Sequence, residues 1–190
     1  MVAMHAAQSL ADHFLIAMPA LADPNFARGL TLLCQHNAEG AMGLLVNRPS
    51  DYTLGDVLAQ MGIPTEDLAL GQQPVLIGGP VHPDRGFVLH DDPREWSSTL
   101  RFGDGLAVTT SREILVAMAR GDGPRNVLVA LGYSGWEAGQ LEAELGENAW
   151  LTAPADQGIV FSTPLEARWQ AAADSLGVDL RLLSDASGHA

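Results

Sequence analysis

The stretch LVALGYSGWEAGQLEAEL (residues 128–145) decides how this chain is read. An aliphatic run ends at Gly132. Ser134 follows, with Gly135 behind it, then Trp136 and an acidic, helix-like segment. Two readings compete. In one, strand, tight turn, serine and helix present Ser134 as a hydrolytic nucleophile. In the other, Ser134 caps a helix starting near Trp136 by accepting a backbone N–H, and the flanking aromatics pack. The spacing favours the cap. A nucleophile elbow runs G-x-S-x-G, with both glycines relieving crowding at a strained turn. Here the second glycine comes one residue early, and an indole stands where the small residue belongs. An acid and a histidine should also follow the serine, yet only His189 does, in what reads as a loose tail.

Working outward, RNVLVALG (125–132) is the most continuous apolar run and so the central strand. FLIAM (14–18), LTLLCQH (30–36) and AMGLLVNRP (41–49) read as strands, the last two joined as a hairpin through NAEG. TLGDVLAQM (53–61) has helical spacing. PVLIGG (74–79) and RGFVLH (85–90) flank the stiff stretch GGPVHPD, read as a second hairpin or a tight loop. LAVTT (106–110) is a strand. Thr110 and Glu113 fit a capping box for SREILVAMAR, with Gly121 as its stop. WEAGQLEAELGEN (136–148) reads as a helix, AWLTA and GIVFS as strands. Thr163, Pro164 and Glu166 open a last helix that Gly177 ends. The tail VDLRLLSDASGHA holds one short strand, and residues 1–10 and 185–190 read as loose ends. About eight strands and three or four helices result, with β-α-β alternation only from residue 106 onward. This predicts an α+β fold around a mixed sheet, as a single domain over residues 1–190.

Composition narrows the function. The chain carries 23 acidic and 10 basic residues, net −13, and every basic residue is an arginine. With no lysine, Schiff-base chemistry and the P-loop lysine are excluded. The scattered arginines form no basic stripe, which disfavours direct nucleic-acid binding and anionic membrane surfaces. No apolar run approaches the about 18 residues that span a bilayer, and the N-terminus lacks a basic n-region. A single cysteine, Cys34, allows no internal disulfide. The expected location is the cytoplasm.

Candidate chemistry is thin. Cys34 and His36 sit two apart on one strand, so both side chains should share a face. Two ligands fall short of a zinc site, and neither a metal nor a cofactor is expected. The alternatives for Cys34 are a buried thiol or a redox-sensitive one. His82 and His90 read as hydrogen-bonded structural groups. Asn25 and Asn47 suit turns, and Arg48 suits a clamp on a carboxylate or phosphate. The glycines of Gly78-Gly79-Pro80 either make a turn or admit close approach of a ligand. Glu137, Gln140, Glu144 and Glu147 line one face of the expected helix, which reads as solvated or, more sharply, as a site for a metal or cationic partner.

FLIAMPALADPNFARGLTLLCQHNAEGAMGLLVNRP, PVLIGGPVHPDRGFVLH, LAVTTSREIL, LGYSGWEAGQLEAELGENAWL and the terminal GHA together resemble the YqgE/AlgH family of bacterial proteins, from about Phe14 to His189. Departures are small. Gln35 stands where the family has glutamate, and Glu137 where glycine is frequent. The family also accepts alanine at Ser134, which counts against a nucleophile. The resemblance implies one compact α+β domain with bent mixed sheets, bacterial and cytosolic. Members are commonly labelled transcriptional regulators, after a role in alginate control in one lineage.

These readings lead to a non-enzymatic regulatory or binding protein, acting on a small molecule or protein partner and on transcription only indirectly. The candidate binding residues are Asn25, Cys34, His36, Asn47, Arg48, Gly79, Pro80, His90, Tyr133, Trp136 and Gln140. The alternative is an enzyme of unknown reaction using Cys34, His36 or His90.

Overall fold

The computed structural model describes residues 9–187, with side chains through residue 183. In chain order the elements are β1 (His13–Ala17), β2 (Leu30–Asn37), β3 (Gly40–Leu45), β4 (Pro49–Thr53), α1 (Leu54–Gln60), α2 (Leu68–Gly71), β5 (Pro74–Ile77), β6 (Val81–His90), β7 (Thr99–Phe102), β8 (Leu106–Thr109), α3 (Arg112–Ala119), β9 (Val127–Glu137), α4 (Gln140–Gly146), β10 (Trp150–Pro154), α5 (Gln157–Phe161), α6 (Arg168–Asp174) and α7 (Leu180–Ser187). A single 3-10 turn, Leu165–Ala167, precedes α6. The strands form one sheet in the order β10-β1-β2-β3-β9-β6-β8-β7, with β5 beside β9 and β4 beside β5. All pairings are antiparallel except β5 with β9, so the sheet is mixed, as the α+β reading expects.

β9 is central, and it bends. Its first half lies between β5 and β6, while its second half pairs with β3. Gly132, at φ +75°, sits where the two halves meet, a conformation open to glycine and strained for other residues. The bend folds the sheet around a principal core. Phe14, Ile16, Leu30, Leu32, Leu44, Phe87, Leu89 and Val108 fill it, closed by Ile159 and Val160 of α5, Ala172 and Ala173 of α6 and Leu180 of α7. Alternate residues of the same strands point outward into two satellite clusters, as the two-residue strand period requires. Val88 and Val129 meet α1 and α3 through Leu58, Ile114 and Leu115. Leu15, Leu33 and Trp136 meet Leu141 of α4 and Trp150.

Several local expectations are corrected. Trp136 and Glu137 belong to β9, and α4 begins only at Gln140, so Ser134 is a buried strand residue and not a helix cap. Gly139, at φ +78°, makes the break between strand and helix. PVLIGG and RGFVLH do not form a hairpin: β5 and β6 lie on opposite sides of β9, and the link between them crosses over it. GIVFS is α5, with Asp156 capping it through Gly158 N, and the tail from Leu180 is α7. Neither expected capping box forms. Glu113 Oε1 takes the Ser97 N–H, and the Thr163 hydroxyl donates to Gly158 O. A reciprocal capping box does form at α1, between Thr53 and Asp56. His189 lies outside the described residues, as do the ends 1–8 and 188–190 of the expected loose tails. No helix among the described residues is long and apolar enough to cross a membrane.

Candidate functional site

The link over β9 explains the glycines of the Gly78-Gly79-Pro80 stretch. A Cβ on Gly78 would come within 2.3 Å of Gly132 O, and one on Gly132 within 2.4 Å of Gly79 O. One on Gly79, at φ +156°, would meet the Tyr133 backbone at 2.2 Å. The sequence left a turn or the approach of a ligand open; the close approach is instead between this link and β9 of the chain itself. Ser134 belongs to the same crossing. Fully buried, its hydroxyl donates to Gly78 O at 3.1 Å. Pro80 is exposed just beyond.

The other candidate residues fall into separate corners. Asn47 accepts from Leu30 N–H and donates to Arg28 O, each at 2.9 Å. Arg48 donates to the backbone carbonyls of Pro24, Asn25 and Ala27. Together they pin the loop carrying Asn25, so Arg48 clamps main chain and not a carboxylate. Trp136 and Gln140 belong to a second corner. Glu144 Oε1 accepts the indole N–H groups of Trp136 at 3.1 Å and Trp150 at 2.9 Å, and its Oε2 accepts from Gln140 at 2.9 Å. Phe26 packs against both indoles, with ring centres 6.1 and 5.5 Å away. The acidic face expected to be solvated thus holds an internal acceptor for two buried tryptophans.

Cys34 and His36 do not share a face. The β2–β3 register slips between Leu33 and Gln35, a bulge at Cys34. Cys34 therefore joins the principal core, while His36 turns toward α4. Burial pushes the Cys34 thiol pKa up, which leaves it protonated and poorly nucleophilic. His36 Nδ1 accepts the Leu10 N–H at 2.9 Å, so its proton sits on Nε2, 2.5 Å from Glu142 Oε1. That bond holds the Glu142 carboxyl below its usual range. His90 is fully buried, and burial lowers its pKa. Its Nδ1 accepts the Asp92 N–H, so Nε2–H donates to Thr109 Oγ1 at 2.8 Å. The Thr109 hydroxyl then donates to Thr99 Oγ1 at 2.7 Å, and Thr99 to Trp96 O at 2.7 Å. Both ring nitrogens of both histidines are thus committed to structure. Among the described residues no three histidine, cysteine or acidic side chains gather as a metal site. Tyr133 meets the ring of Phe87 edge-on at 5.5 Å and flanks a shallow groove with Met42 and His82.

An enclosed, largely apolar site lies elsewhere, on the outer face of the sheet. A cavity of about 530 Å³ opens between α1, α3 and the strands β6 and β9. Val88, Val129 and Leu131 form its floor, and Val57 and Leu115 its walls. Two sequence features open it. Gly86 shares the face of Val88, and a Cβ there would meet nothing within 4 Å. The β6–β9 register also breaks between Val81 and Gly86, which lifts Pro83, Asp84 and Arg85 into a rim. Exposed Tyr52 and Met61 edge the mouth.

Its polar groups cluster at the start of α3. Ser111 caps this helix by position without a side-chain bond, and its sealed hydroxyl has no partner. Arg112, in the first turn, reaches across to Met61 O at 3.3 Å. A cation there opposes the helix dipole. Arg85 stands on the rim beside Asp84, but its guanidinium lies over the Phe87 ring, 5.7 Å from the ring centre, so Arg112 supplies the charge at the start of α3. None of the candidate binding residues named from the sequence lines this cavity. Arg85, Gly86 and Arg112 carry no local signal, because strand, bulge and helix bring them together only in the fold.

Comparison with known proteins agrees with this architecture. The profile of the AlgH-like family matches residues 14–181. UPF0301 proteins of Xanthomonas campestris pv. campestris strain B100 and Xanthomonas oryzae pv. oryzae strain PXO99A are 66% identical over 181 residues, 95% of this chain and 96% of theirs. The solution structure of AlgH from Pseudomonas aeruginosa is similar at TM-score 0.80 and 52% identity, over 97% of both chains. A Corynebacterium diphtheriae crystal structure shares the fold at TM-score 0.70 and 21% identity, over 91% of this chain and 90% of that one.

Proposed function

This chain belongs to the AlgH-like family, and from that premise we propose that it is a non-enzymatic binding protein whose ligand is a small molecule with an apolar body and one anionic group, held in the cavity between α1 and α3. The observation that carries this reading is the pairing of an apolar floor with Arg112 and the uncapped first turn of α3. An apolar floor releases free energy when a nonpolar surface covers it. The helix start offers free N–H groups to an anion, and a bound anion removes the local repulsion between Arg112 and the helix dipole.

The protonated, sealed Cys34 thiol, the saturated histidines and the buried Ser134 hydroxyl favour binding over catalysis. Arg48 and Arg101 spend their guanidinium groups on backbone carbonyls, and Arg94 and Arg181 theirs on Asp92 and Asp179. With four of the ten arginines so used and 23 acidic residues against them, the balance favours a ligand or a protein partner over a polyanion as the route of any regulatory role.

Anilinonaphthalene sulfonate, apolar with a single sulfonate, tests the site. The dye should bind the native chain with a fluorescence rise. Gly86→Leu, which grows into the cavity without striking the fold, should abolish that rise, and Arg112→Ala should weaken it about tenfold. Equal dye binding by the wild type and Gly86→Leu would refute the assignment. Native mass spectrometry of freshly purified protein would then identify a retained ligand.

A further inference from the structure

A second cavity, independent of the first, lies where β5 and the start of β9 meet the segment from α5 to α6. Its volume is about 270 Å³, and Leu76, Phe161, Leu165, Arg125, Asn126 and Arg168 line it. Arg168 is 7% exposed, among the least exposed charged residues of the protein. Its Nε donates to Thr163 O at 2.8 Å and its Nη1 to Val46 O at 2.7 Å. Among the described residues, no carboxylate pairs with it and no group accepts from Nη2.

An isolated buried cation is costly, and buried charges are ordinarily paired. The chain has carboxylates to spare, 23 against ten arginines, yet none is placed here. Nor is Nη2 walled in. The sealed, unbonded side-chain atoms among the described residues are Thr31 Oγ1, Trp96 Nε1 and Ser111 Oγ. The free N–H groups of Arg168 therefore meet open space, and the cavity is the open space that this side chain lines. Arg125, on the same wall, likewise has no ion pair or hydrogen bond among the described residues. The Asn126 amide donates to Asp91 Oδ2 at 2.8 Å.

We propose that this cavity is a binding site for a small oxyanion, with Arg168 as its buried fork and Arg125 as its outer cation. A planar guanidinium already fixed by two carbonyls presents its remaining N–H groups at little entropic cost, in a geometry that suits phosphate or carboxylate oxygens. The protein's net negative charge is screened over about 8 Å at physiological salt, so the local pair of cations governs the cavity.

The test is a titration of the full chain with inorganic phosphate, and separately with acetate, at constant ionic strength against chloride. It follows the backbone amide resonances of Asn126 and Leu165, which line the cavity and persist in every variant, by ¹⁵N-resolved NMR. A saturable shift is expected, with a Kd of about 1 mM or tighter. Arg125→Ala, an exposed change that spares the fold, should weaken it about fivefold. Arg168→Lys, which keeps the charge and loses the fork, should weaken it about tenfold. Preference for phosphate or for acetate names the source of the oxyanion, and either supports the site. No saturation by either anion, or an affinity unmoved by Arg125→Ala, overturns it. Dye binding in the first cavity is expected to be the same in both variants, so failure here is distinguishable from failure there.

Discussion

Replacing Glu144 by alanine should destabilise the protein far more than a surface carboxylate on a short helix ordinarily would. Its Oε1 accepts two indole N–H groups, from Trp136 and Trp150, which are 6% and 4% exposed. Removing it leaves both donors buried without a partner. An orphaned buried donor costs about 1–3 kcal/mol, and partial access of water at half-buried Glu144 recovers some of that. A net loss of about 2–4 kcal/mol follows, a large share of a total stability of about 5–15 kcal/mol. With a urea slope of about 2 kcal/mol per molar, the midpoint should fall by about 1–2 M. Glu144→Gln keeps a carbonyl oxygen in place and should cost about half as much. Urea unfolding by far-UV circular dichroism reads the midpoint. Near-UV dichroism should show the two tryptophans losing their fixed environment. A loss below about 0.5 kcal/mol, typical of a plain surface substitution, would refute the reasoning and return Glu144 to a solvated face.

Other outcomes follow from the same structure. Gly132→Ala and Gly79→Ala should each prevent accumulation of folded protein, seen as loss of dispersed NMR signals, because the new Cβ strikes backbone at 2.2–2.4 Å. Gly86→Ala, which meets open space, should fold and melt within a degree or two of the wild type. His90 should take up its proton at a lower pH in the folded than in the unfolded chain, because burial disfavours the charged ring, and ring ¹⁵N shifts read the difference. Because its folded pKa is depressed and an unfolded histidine titrates near about 6.5, the unfolded chain binds the extra proton. Stability is then full above that pH and declines as pH falls toward the folded pKa, a slope that a neutral replacement such as His90→Gln should flatten. Asp92 has the opposite shift, held low by Arg94, and adds stability above about pH 4 that is lost as pH falls through its folded pKa. The Cys34 thiol should resist iodoacetamide in the native protein and react fully in urea, and native-state alkylation on the time scale of a free thiol would contradict its burial.

Much of the architecture was legible before any coordinates. Continuous apolar runs located β1, β2, β8, β10 and the central β9, and a two-strand pattern around a turn located the β2–β3 hairpin. Helical spacing located α1 and α3. Misreadings cluster at short segments whose patterns are ambiguous. GIVFS is five apolar-rich residues, too few to show either period, and packing against α6 made it a helix. The tail VDLRLL was read as a strand for the same reason.

The sequence by itself determined the fold class, the family, the central strand and the absence of lysine chemistry, because hydrophobic periodicity, turn residues and composition are local properties. Only the tertiary structure decided that β9 continues through Ser134 and that Gly78, Gly79 and Gly132 serve the crossing of the link over β9. It also decided that Cys34 and His36 face apart, and that Arg85 with Arg112, and Arg125 with Arg168, share cavities. Those facts depend on register, on a bulge and on contacts between residues as many as 122 positions apart, such as Arg168 on Val46. Strand pairing sets them through space, and no window of neighbouring residues encodes which backbone will lie against which.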